Sequence, residues 1–296
     1  PPSSEQHALC TTEEQAILRE VLRKNCDYQK GTHPLGTILL TGATGFLGIH
    51  ILHELLTTTE STIYCVVRPK NRITCEKRLK GALFYYFENS FDTAFGKRLF
   101  AINGDILHDP IADLPTGVSI DTVIHCAANV SHFGVDDRIR QTNVDGVHNL
   151  ISFCMTHNAA LIHISTLSVG GFIDQEQADM GVCLSEQRLW LRQDLSNAYL
   201  ESKFLAEKSI LLQVPNGLRA KIMRVGNLQG RLSDGEFQMN QASNGFAKLL
   251  QSMVKTGRCP YTLAHSRVNF SPVDAVARAI CRMAGSQAPY SVFHIF

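Results

Sequence analysis

Three features are scarce in this sequence: paired cysteines, long apolar runs and an excess of charge of one sign. The nine cysteines are odd in number and include no Cys-x-x-Cys pair. This excludes a disulfide framework and predicts reduced thiols that fill the core of a cytoplasmic protein. No apolar run approaches the ~18 residues of a membrane span. A net charge of +1 argues against nucleic acid or an anionic membrane as the main partner, and the histidines lack the spacing of metal ligands.

The length and the two ends of the chain indicate how it is organised. At 296 residues, 44% of them hydrophobic, the chain can form one large or two medium globular domains. It begins Pro-Pro-Ser-Ser without a methionine, and it ends in an alternating segment, residues 290–296, with no following turn. Both ends lead us to expect a piece of a larger multidomain protein.

Apolar strand-like segments alternate with helix-like segments along most of the chain. The predicted strands cover residues 38–40, 62–67, 98–102, 122–126, 161–165, 221–225 and 291–295. The predicted helices cover residues 12–24, 46–56, 74–87, 139–157, 196–213, 241–255 and 273–283. Strands that are apolar throughout and are each followed by a helix are typical of a parallel sheet covered on both faces. The sequence therefore predicts an α/β fold with a Rossmann-type, doubly wound parallel sheet.

Residues 170–195 and 229–263 interrupt this alternation. Long insertions after the strands of an open α/β sheet lie at its carboxyl edge, where ligands bind, so we expect them to form walls of a substrate site. We divide the chain into a helix and linker lead-in (1–36), a nucleotide-binding domain (37–228), a substrate-binding insertion (229–268) and a return to the nucleotide-binding domain (269–296).

Residues 41–48 read Thr-Gly-Ala-Thr-Gly-Phe-Leu-Gly, between a predicted strand and a predicted helix. Glycine at this spacing allows a sharp turn, close approach of the backbone to a pyrophosphate, and close packing of helix on strand. The phosphates would bind the free N–H groups at the start of the helix. The motif predicts a nucleotide site, and a glycine turn without a ligand is the alternative that the motif alone leaves open.

A basic residue ends the second strand. Arg68 stands where an NAD-binding domain carries an acidic residue for the ribose 2′-hydroxyl, so it favours NADP with its 2′-phosphate. Arg78 on the next helix can be a second clamp, and an ordinary exposed charge is the alternative for Arg68. After the third strand, Asp105 can accept a hydrogen bond from the adenine amino group. Small residues after the fourth strand, Ala127 and Ala128, let a cofactor lie across the sheet edge.

Tyr199 and Lys203 form a Tyr-x-x-x-Lys pair on a predicted helix. The spacing of four places both side chains on one face, so that the ammonium can lower the pKa of the phenol and reach the nicotinamide ribose. The hydroxyl-rich end of the fifth strand would face the same cleft and donate to a developing oxyanion. Thr166 and Ser168 share a strand face while Ser165 points away, so we choose Thr166. A strand end that satisfies its own backbone is the alternative.

These motifs together resemble the extended short-chain dehydrogenase/reductases. More closely, they resemble the terminal thioester reductase domains of nonribosomal peptide synthetases, to which carboxylic acid reductases and the α-aminoadipate reductase are close relatives. The closer resemblance lies in Val67-Arg68-Pro69, in His125-Cys126-Ala127-Ala128-Asn129-Val130, in Lys203-Phe204-Leu205-Ala206-Glu207 and in residues 224–231, Arg-Val-Gly-Asn-Leu-Gln-Gly-Arg. Val225 stands where many extended members have proline, which argues against a sugar-nucleotide epimerase.

The resemblance implies NADPH-dependent reductive release of a peptidyl or acyl chain, held as a thioester on the phosphopantetheine arm of a carrier protein. The product would be an aldehyde, or an alcohol after a second hydride. The family also implies a C-terminal helical substrate-binding subdomain. This chain ends before the C-terminal helices, so we expect its substrate-binding subdomain to be smaller and truncated. The implied catalytic residues are Thr166, Tyr199 and Lys203. The implied cofactor contacts are Gly42, Thr44, Gly45, Phe46, Leu47 and Gly48 at the pyrophosphate, Arg68 and Arg78 at the 2′-phosphate, Asp105 and Ile106 at the adenine, Ala127, Ala128 and Asn129 along the sheet edge, Asn227 at the nicotinamide end, and Tyr199 and Lys203 themselves.

Other functions on the same scaffold stay open. A sugar-nucleotide epimerase would need NAD and an acidic end of the second strand, and a hydroxysteroid-type dehydrogenase would need a free hydroxyl substrate. An acyl-CoA or carboxylic acid reductase would use the same cofactor on a different thioester or acid. A non-catalytic NADP-binding module is the alternative outside the enzymes, and such modules often lose the tyrosine or the lysine.

Overall fold

A parallel sheet forms the centre of the chain. The computed structural model describes residues 9–23, 35–69, 72–108, 110–130, 137–173, 175–241, 244–259, 261 and 269–296. In these residues the main sheet has seven strands, all parallel. The strands are β1 (Ile38–Thr41), β2 (Ile63–Val67), β3 (Leu99–Asn103), β4 (Thr122–His125), β5 (Ala160–Thr166), β6 (Ala220–Val225) and β9 (Val292–Ile295). Their order across the sheet is β3-β2-β1-β4-β5-β6-β9. The predicted Rossmann-type fold is therefore confirmed, and each predicted strand is placed to within one residue at either end.

The order of the strands locates the ligand-binding edge. The chain crosses from β1 outward to β2 and β3, then returns to the other side of β1 at β4, so the winding reverses between β1 and β4. In a doubly wound sheet the crevice at the carboxyl end of these two strands is where a dinucleotide binds. Thr41 ends β1 and His125 ends β4 beside it. The glycine turn follows directly at this crevice.

Helices cover both faces of the sheet. They are α1 (Thr12–Arg23), α2 (Phe46–Thr58), α3 (Cys75–Phe87), α4 (Arg138–Arg140), α5 (Gly146–His157), α6 (Gln175–Asp179), α7 (Ala198–Gln213), α8 (Gly245–Thr256) and α9 (Val273–Ala284). Apolar residues of α2, α3 and α9 pack in one core cluster, and those of α1, α5 and α7 pack in the other. The sheet is thus buried between two layers. Lys24 and residues 25–34 of the predicted lead-in lie outside the described residues.

Three predicted helices differ from the structure, each for a local polar reason. The helix predicted over 139–157 is interrupted by a π-helical turn, Gln141–Asp145, in which the Asn143 amide is buried and hydrogen-bonded. The helix predicted from 196 begins at Ala198, because the Asn197 side chain caps it. The helix predicted from 241 begins at Gly245, because the Asn244 side chain accepts from Ala247 N.

Two local arrangements, one around the second insertion and one within the first, were not shown by the sequence pattern. β7 (Leu228–Gln229) pairs in parallel with β8 (Ser271–Pro272) in a small second sheet. In the first insertion, the buried Gln193 side chain accepts from Leu191 N at 2.7 Å and donates to two backbone carbonyls. These contacts fix segments that lack any helical or strand period.

The cysteines follow the core prediction only in part. Cys10, Cys65, Cys154 and Cys281 are buried free thiols. For Cys183 and Cys259 the prediction is wrong, since both are exposed, in segments outside the sheet and its covering helices. Cys26 lies outside the described residues. No helix in the described part of the chain is long and apolar enough to cross a bilayer.

Candidate active site

The glycine turn between β1 and α2 has the geometry of a pyrophosphate cradle. Gly42 has φ +74°, and a Cβ there would lie 2.6 Å from the backbone nitrogen of Ala127 on the neighbouring strand exit. A Cβ on Gly48 would overlap the carbonyl oxygen of Gly42. Gly45 N donates to the same oxygen at 2.9 Å. Both outer glycines are therefore required by the turn itself, whatever binds to it.

The start of α2 is open to an anion. Its N-cap, Gly45, offers no side-chain hydrogen bond to the helix, and the first turn contains no acidic residue. Gly45 is exposed, Thr44 and Phe46 are half-buried, and Leu47 packs in the core. Leu47 therefore has only its backbone to offer a ligand. This donor set, with the positive end of the helix dipole, fits the pyrophosphate of a dinucleotide.

The two arginines of the predicted 2′-phosphate clamp lie together. Arg78 Nη1 donates to the backbone carbonyl oxygen of Arg68, and Arg68 Nη1 lies 3.5 Å from Asp105 Oδ2. The Arg68 side chain is 69% exposed, so its guanidinium can turn to a ligand. The structure thus brings the predicted phosphate clamp and the predicted adenine partner to one corner of the sheet edge.

The remaining predicted cofactor contacts lie along the same edge. Ile106 is buried against α5, where a Cβ on Gly146 would lie 2.7 Å from Ile106 Cδ1. Ala127 N donates to Thr41 Oγ1 at 3.3 Å, which holds the exit of β4 against β1. Asn227 is exposed just after β6, which is the third strand from β1, the strand that the glycine turn follows. The predicted residues therefore extend from β2 and β3 across to β6, as a dinucleotide lying across the edge would require.

Thr166 is the last residue of β5. Its Oγ1 accepts from Ser168 N at 3.2 Å, which uses a lone pair and leaves the hydroxyl proton for another acceptor. The prediction that Thr166 and Ser168 share a strand face is wrong, because the strand ends at Thr166 and Ser168 lies in a 3₁₀ turn, Leu167–Gly170. Ser165 is buried and donates to Glu207 Oε1 at 2.5 Å, so it does point away from the cleft.

Tyr199 and Lys203 both lie on α7, one turn apart. Lys203 is 4% exposed, and its Nζ donates to the carbonyl oxygen of Ile164 at 2.9 Å. Burial lowers the pKa of Lys203 to about 8, against the opposing effects of Cys126 and Glu207. Burial raises the pKa of Tyr199 to about 12. Burial of the phenol sets the direction of its shift, and the Lys203 ammonium donates to a backbone carbonyl. That the ammonium lowers the pKa of the phenol stays a prediction.

A buried amide that the sequence analysis missed anchors the first turn of α7. Asn143 Nδ2 donates to Ser202 Oγ at 2.9 Å and to Asn129 O at 2.9 Å, and its Oδ1 accepts from Asn129 N at 2.8 Å. Ser202 Oγ in turn donates to the carbonyl oxygen of Tyr199 at 2.7 Å. The available signal was an asparagine on the apolar face of a predicted helix, four residues after Ile139.

A buried ion pair, also missed, lies behind Lys203. Glu207 and Arg224 are both fully buried, with Arg224 Nη2 2.8 Å from Glu207 Oε2 and Arg224 Nε 3.1 Å from both carboxylate oxygens. Arg224 Nη1 donates to Ser185 O at 3.0 Å. The pair connects α7, β6 and the first insertion. Each charge occurs within an apolar run of the sequence, and nothing in a single sequence shows that two such charges meet.

Comparison with known proteins places this geometry in a family. The sequence profile of the NAD-binding family described as male sterility protein matches residues 40–280. Among solved structures, a thiolation-reductase di-domain from an archaeal nonribosomal peptide synthetase is 38% identical with a TM-score of 0.85, covering 94% of this chain and 76% of that one. The reductase domain of the aureusimine biosynthetic cluster is 31% identical with a TM-score of 0.80, covering 96% and 74%.

Curated relatives are much longer than this chain. A nonribosomal peptide synthetase of Aspergillus flavus is 28% identical over 278 residues, which is 88% of this chain and 26% of the relative. The large subunit of L-2-aminoadipate reductase from Eremothecium gossypii is 28% identical over 261 residues, which is 81% of this chain and 18% of the relative. The chain thus spans about a quarter or less of these two relatives.

Proposed function

This chain belongs to the NAD-binding family described as male sterility protein, and its structural neighbours include reductase domains of nonribosomal peptide synthesis. We therefore propose that it is an NADPH-dependent thioester reductase. The reaction is the reductive release, as an aldehyde, of a peptidyl or acyl chain from the phosphopantetheine arm of a carrier protein. The observation that supports the proposal is the hydrogen bond from Lys203, on the helix that also carries Tyr199, to Ile164, two residues before Thr166 at the end of β5.

Arg68 and Arg78 support NADPH over NADH. A 2′-phosphate needs positive charge beside the ribose, and a 2′-hydroxyl needs an acidic acceptor. Asp105 lies 3.5 Å from Arg68, and it is assigned to the adenine. The guanidinium of Arg68 after β2 and that of Arg78 on α3 supply positive charge for the 2′-phosphate.

The residues of the site have distinct roles in the reaction. Bound NADPH supplies the hydride that reduces the thioester carbonyl carbon. Thr166 donates a hydrogen bond to the carbonyl oxygen as negative charge develops there. Tyr199 gives its proton to that oxygen, and the Lys203 ammonium stabilises the resulting phenolate. The hemithioacetal then collapses, which breaks the C–S bond and releases the carrier thiol and an aldehyde.

The comparisons and the fold support a carrier-protein partner and separate cofactor-binding and substrate-binding segments. Relatives are synthetases that this chain spans only in part, and one structural neighbour is a thiolation-reductase di-domain. We therefore assign a carrier protein within a larger synthetase as the partner. Residues 37–228 and 269–296 form the cofactor-binding unit, since β9 and α9 complete its sheet and core, and residues 229–268 form a wall for the substrate.

The direct test is product analysis with a carrier-linked acyl thioester. The protein, in its full natural length, is incubated with NADPH and the loaded carrier, and the aldehyde is trapped and identified by mass spectrometry. One aldehyde and one free carrier thiol are expected for each NADPH oxidised. Oxidation of a hydroxyl substrate with no attack on the thioester would instead indicate a dehydrogenase, and binding of NADPH with no turnover would indicate a binding module.

A further inference from the structure

His163 is a buried polar residue that the proposed mechanism does not use. It lies in the middle of β5 and is 1% exposed. Neither of its ring nitrogens has a hydrogen-bond partner within the described part of the chain. Burial of a hydrogen-bond donor and an acceptor without partners lowers the stability of the fold. A histidine at this position in a core strand therefore indicates a role that an apolar residue could not fill.

The sheet register places His163 in a row of three polar side chains. Thr41 on β1 is opposite His125 on β4, and His125 is opposite His163 on β5. His125 Nδ1 lies 2.8 Å from Thr41 Oγ1. The rings of His125 and His163 have centroids 5.2 Å apart. The row runs from the residue before the glycine turn to the middle of β5.

The row ends beside Lys203. Lys203 Nζ donates to the carbonyl oxygen of Ile164, the residue that follows His163. Burial first, and then the charge of Lys203, lowers the pKa of both His125 and His163, so both rings are neutral. An ammonium has three N–H donors and no acceptor, and Ile164 takes one of them.

Within the described residues, the titratable groups that act on Lys203 are Cys126, just after β4, and Glu207, one turn later on α7; Tyr199 lies one turn earlier on the same helix. The Glu207 carboxylate is engaged by Arg224 and Ser165. A neutral imidazole offers one acceptor and one donor, which suits a single water molecule held between the ring and a cation.

We propose that His163, with His125, holds one internal water molecule that accepts a hydrogen bond from Lys203 Nζ, and that His163 is thereby a positioning residue for Lys203. The positioning role rests on the proposed function, whereas the water site does not. The matched variants are His163→Phe, which keeps a ring without nitrogens, and His163→Gln, which keeps a donor and an acceptor.

The water site is tested by crystallography at a resolution that shows ordered solvent. In the wild-type protein we expect a solvent peak within hydrogen-bond distance of both a His163 ring nitrogen and Lys203 Nζ. The peak is expected to be absent from His163→Phe. A wild-type structure with no solvent between these atoms, or with the imidazole bonded directly to another side chain, would overturn the site.

The positioning role is tested by pH profiles at saturating NADPH and thioester. His163→Phe removes the water that accepts from the Lys203 ammonium. It should therefore lower kcat at least about tenfold and move the alkaline limb of the profile to lower pH. His163→Gln should restore both. His50→Phe is the control, because His50 is also buried with an unpartnered Nε2 but lies on α2. This substitution should change the unfolding midpoint and leave the alkaline limb of the kcat profile in place. An unmoved limb in His163→Phe overturns the role. Full activity in Lys203→Met would instead overturn the proposed function and leave the crystallographic test intact.

Discussion

Lys203 Nζ donates a 2.9 Å hydrogen bond to the carbonyl oxygen of Ile164, two residues before Thr166 at the end of β5. This bond ties the middle of α7 to the strand end. Tyr199 lies one turn earlier on the same helix, where side chains four apart share a face. The proposed catalytic groups are therefore positioned by a helix and a strand, which hold geometry more firmly than a loop does.

The protonation of Lys203 predicts how activity depends on pH. Burial lowers the pKa of Lys203 to about 8, so the ammonium is present below that pH and lost above it. Tyr199, with a pKa of about 12, remains a protonated donor throughout this range. We expect kcat to fall as the pH rises through about 8, measured with saturating NADPH and thioester in buffers of constant ionic strength. A kcat that rises across this interval would contradict the role of the ammonium.

Arg68→Ala tests the choice of cofactor. Loss of a charged hydrogen bond to the 2′-phosphate should weaken NADPH binding about tenfold to a hundredfold, with little effect on NADH, which lacks that phosphate. Fluorescence titration of both cofactors measures this without any turnover. Lys80→Ala is the matched control, because Lys80 is an exposed cation on α3 paired with Glu76. Equal weakening of NADPH and NADH would show that Arg68 does not read the 2′-phosphate.

Gly48→Ala and Gly81→Ala make the same chemical change in opposite environments. A Cβ on Gly48 would overlap the carbonyl oxygen of Gly42, whereas one on Gly81 in α3 would meet nothing within 4 Å. Gly48→Ala should destabilise the fold by about 2 kcal/mol or more and abolish cofactor binding. Gly81→Ala should stabilise it by about 0.5–1 kcal/mol. Urea unfolding and cofactor titration measure both effects, and a Gly48→Ala protein that binds NADPH normally would refute the cradle.

Buried histidines predict instability in acid. Burial lowers the pKa of His50 to about 4 and of His125 to about 3, from 6.5. Below about pH 6.5 the unfolded chain therefore binds more protons than the folded chain. The contribution of these histidines leaves the unfolding free energy undiminished above that pH and lowers it progressively toward pH 4. The slope should be about 1.4 kcal/mol per pH unit for each histidine.

Urea unfolding at pH 7, 6 and 5 measures this slope. His50→Phe should remove the share of one histidine from this slope. A stability that does not change between pH 6.5 and 5 would show that these imidazoles titrate normally.

The sequence predicted what depends on local pattern. The strands of the main sheet are continuous apolar runs, so their type and their places along the chain follow from periodicity and spacing. The glycine turn, Arg68 and the Tyr199–Lys203 pair are found because each occupies a fixed place relative to a strand or a helix. The structure brings them to one edge.

Contacts between distant segments could not be predicted. The Glu207–Arg224 pair joins a helix and a strand, and each charge alone suggests an exposed position. The π-helical turn around Asn143 is hidden, since one extra residue hardly disturbs a helical period. The pKa of Tyr199 depends on burial by the folded chain, and spacing to Lys203 does not reveal that burial.

The most direct test of the account compares wild type with Tyr199→Phe in the reduction of a carrier-linked thioester by NADPH. The substitution removes only the phenolic oxygen, and loss of a positioned proton donor predicts a fall in kcat of about a hundredfold or more, with NADPH affinity nearly unchanged. Tyr290→Phe, at a half-exposed tyrosine, is the control and should match wild type. Thioester reduction by Tyr199→Phe at the wild-type rate would contradict the central claim that this chain is a reductase built on Tyr199, Lys203 and Thr166.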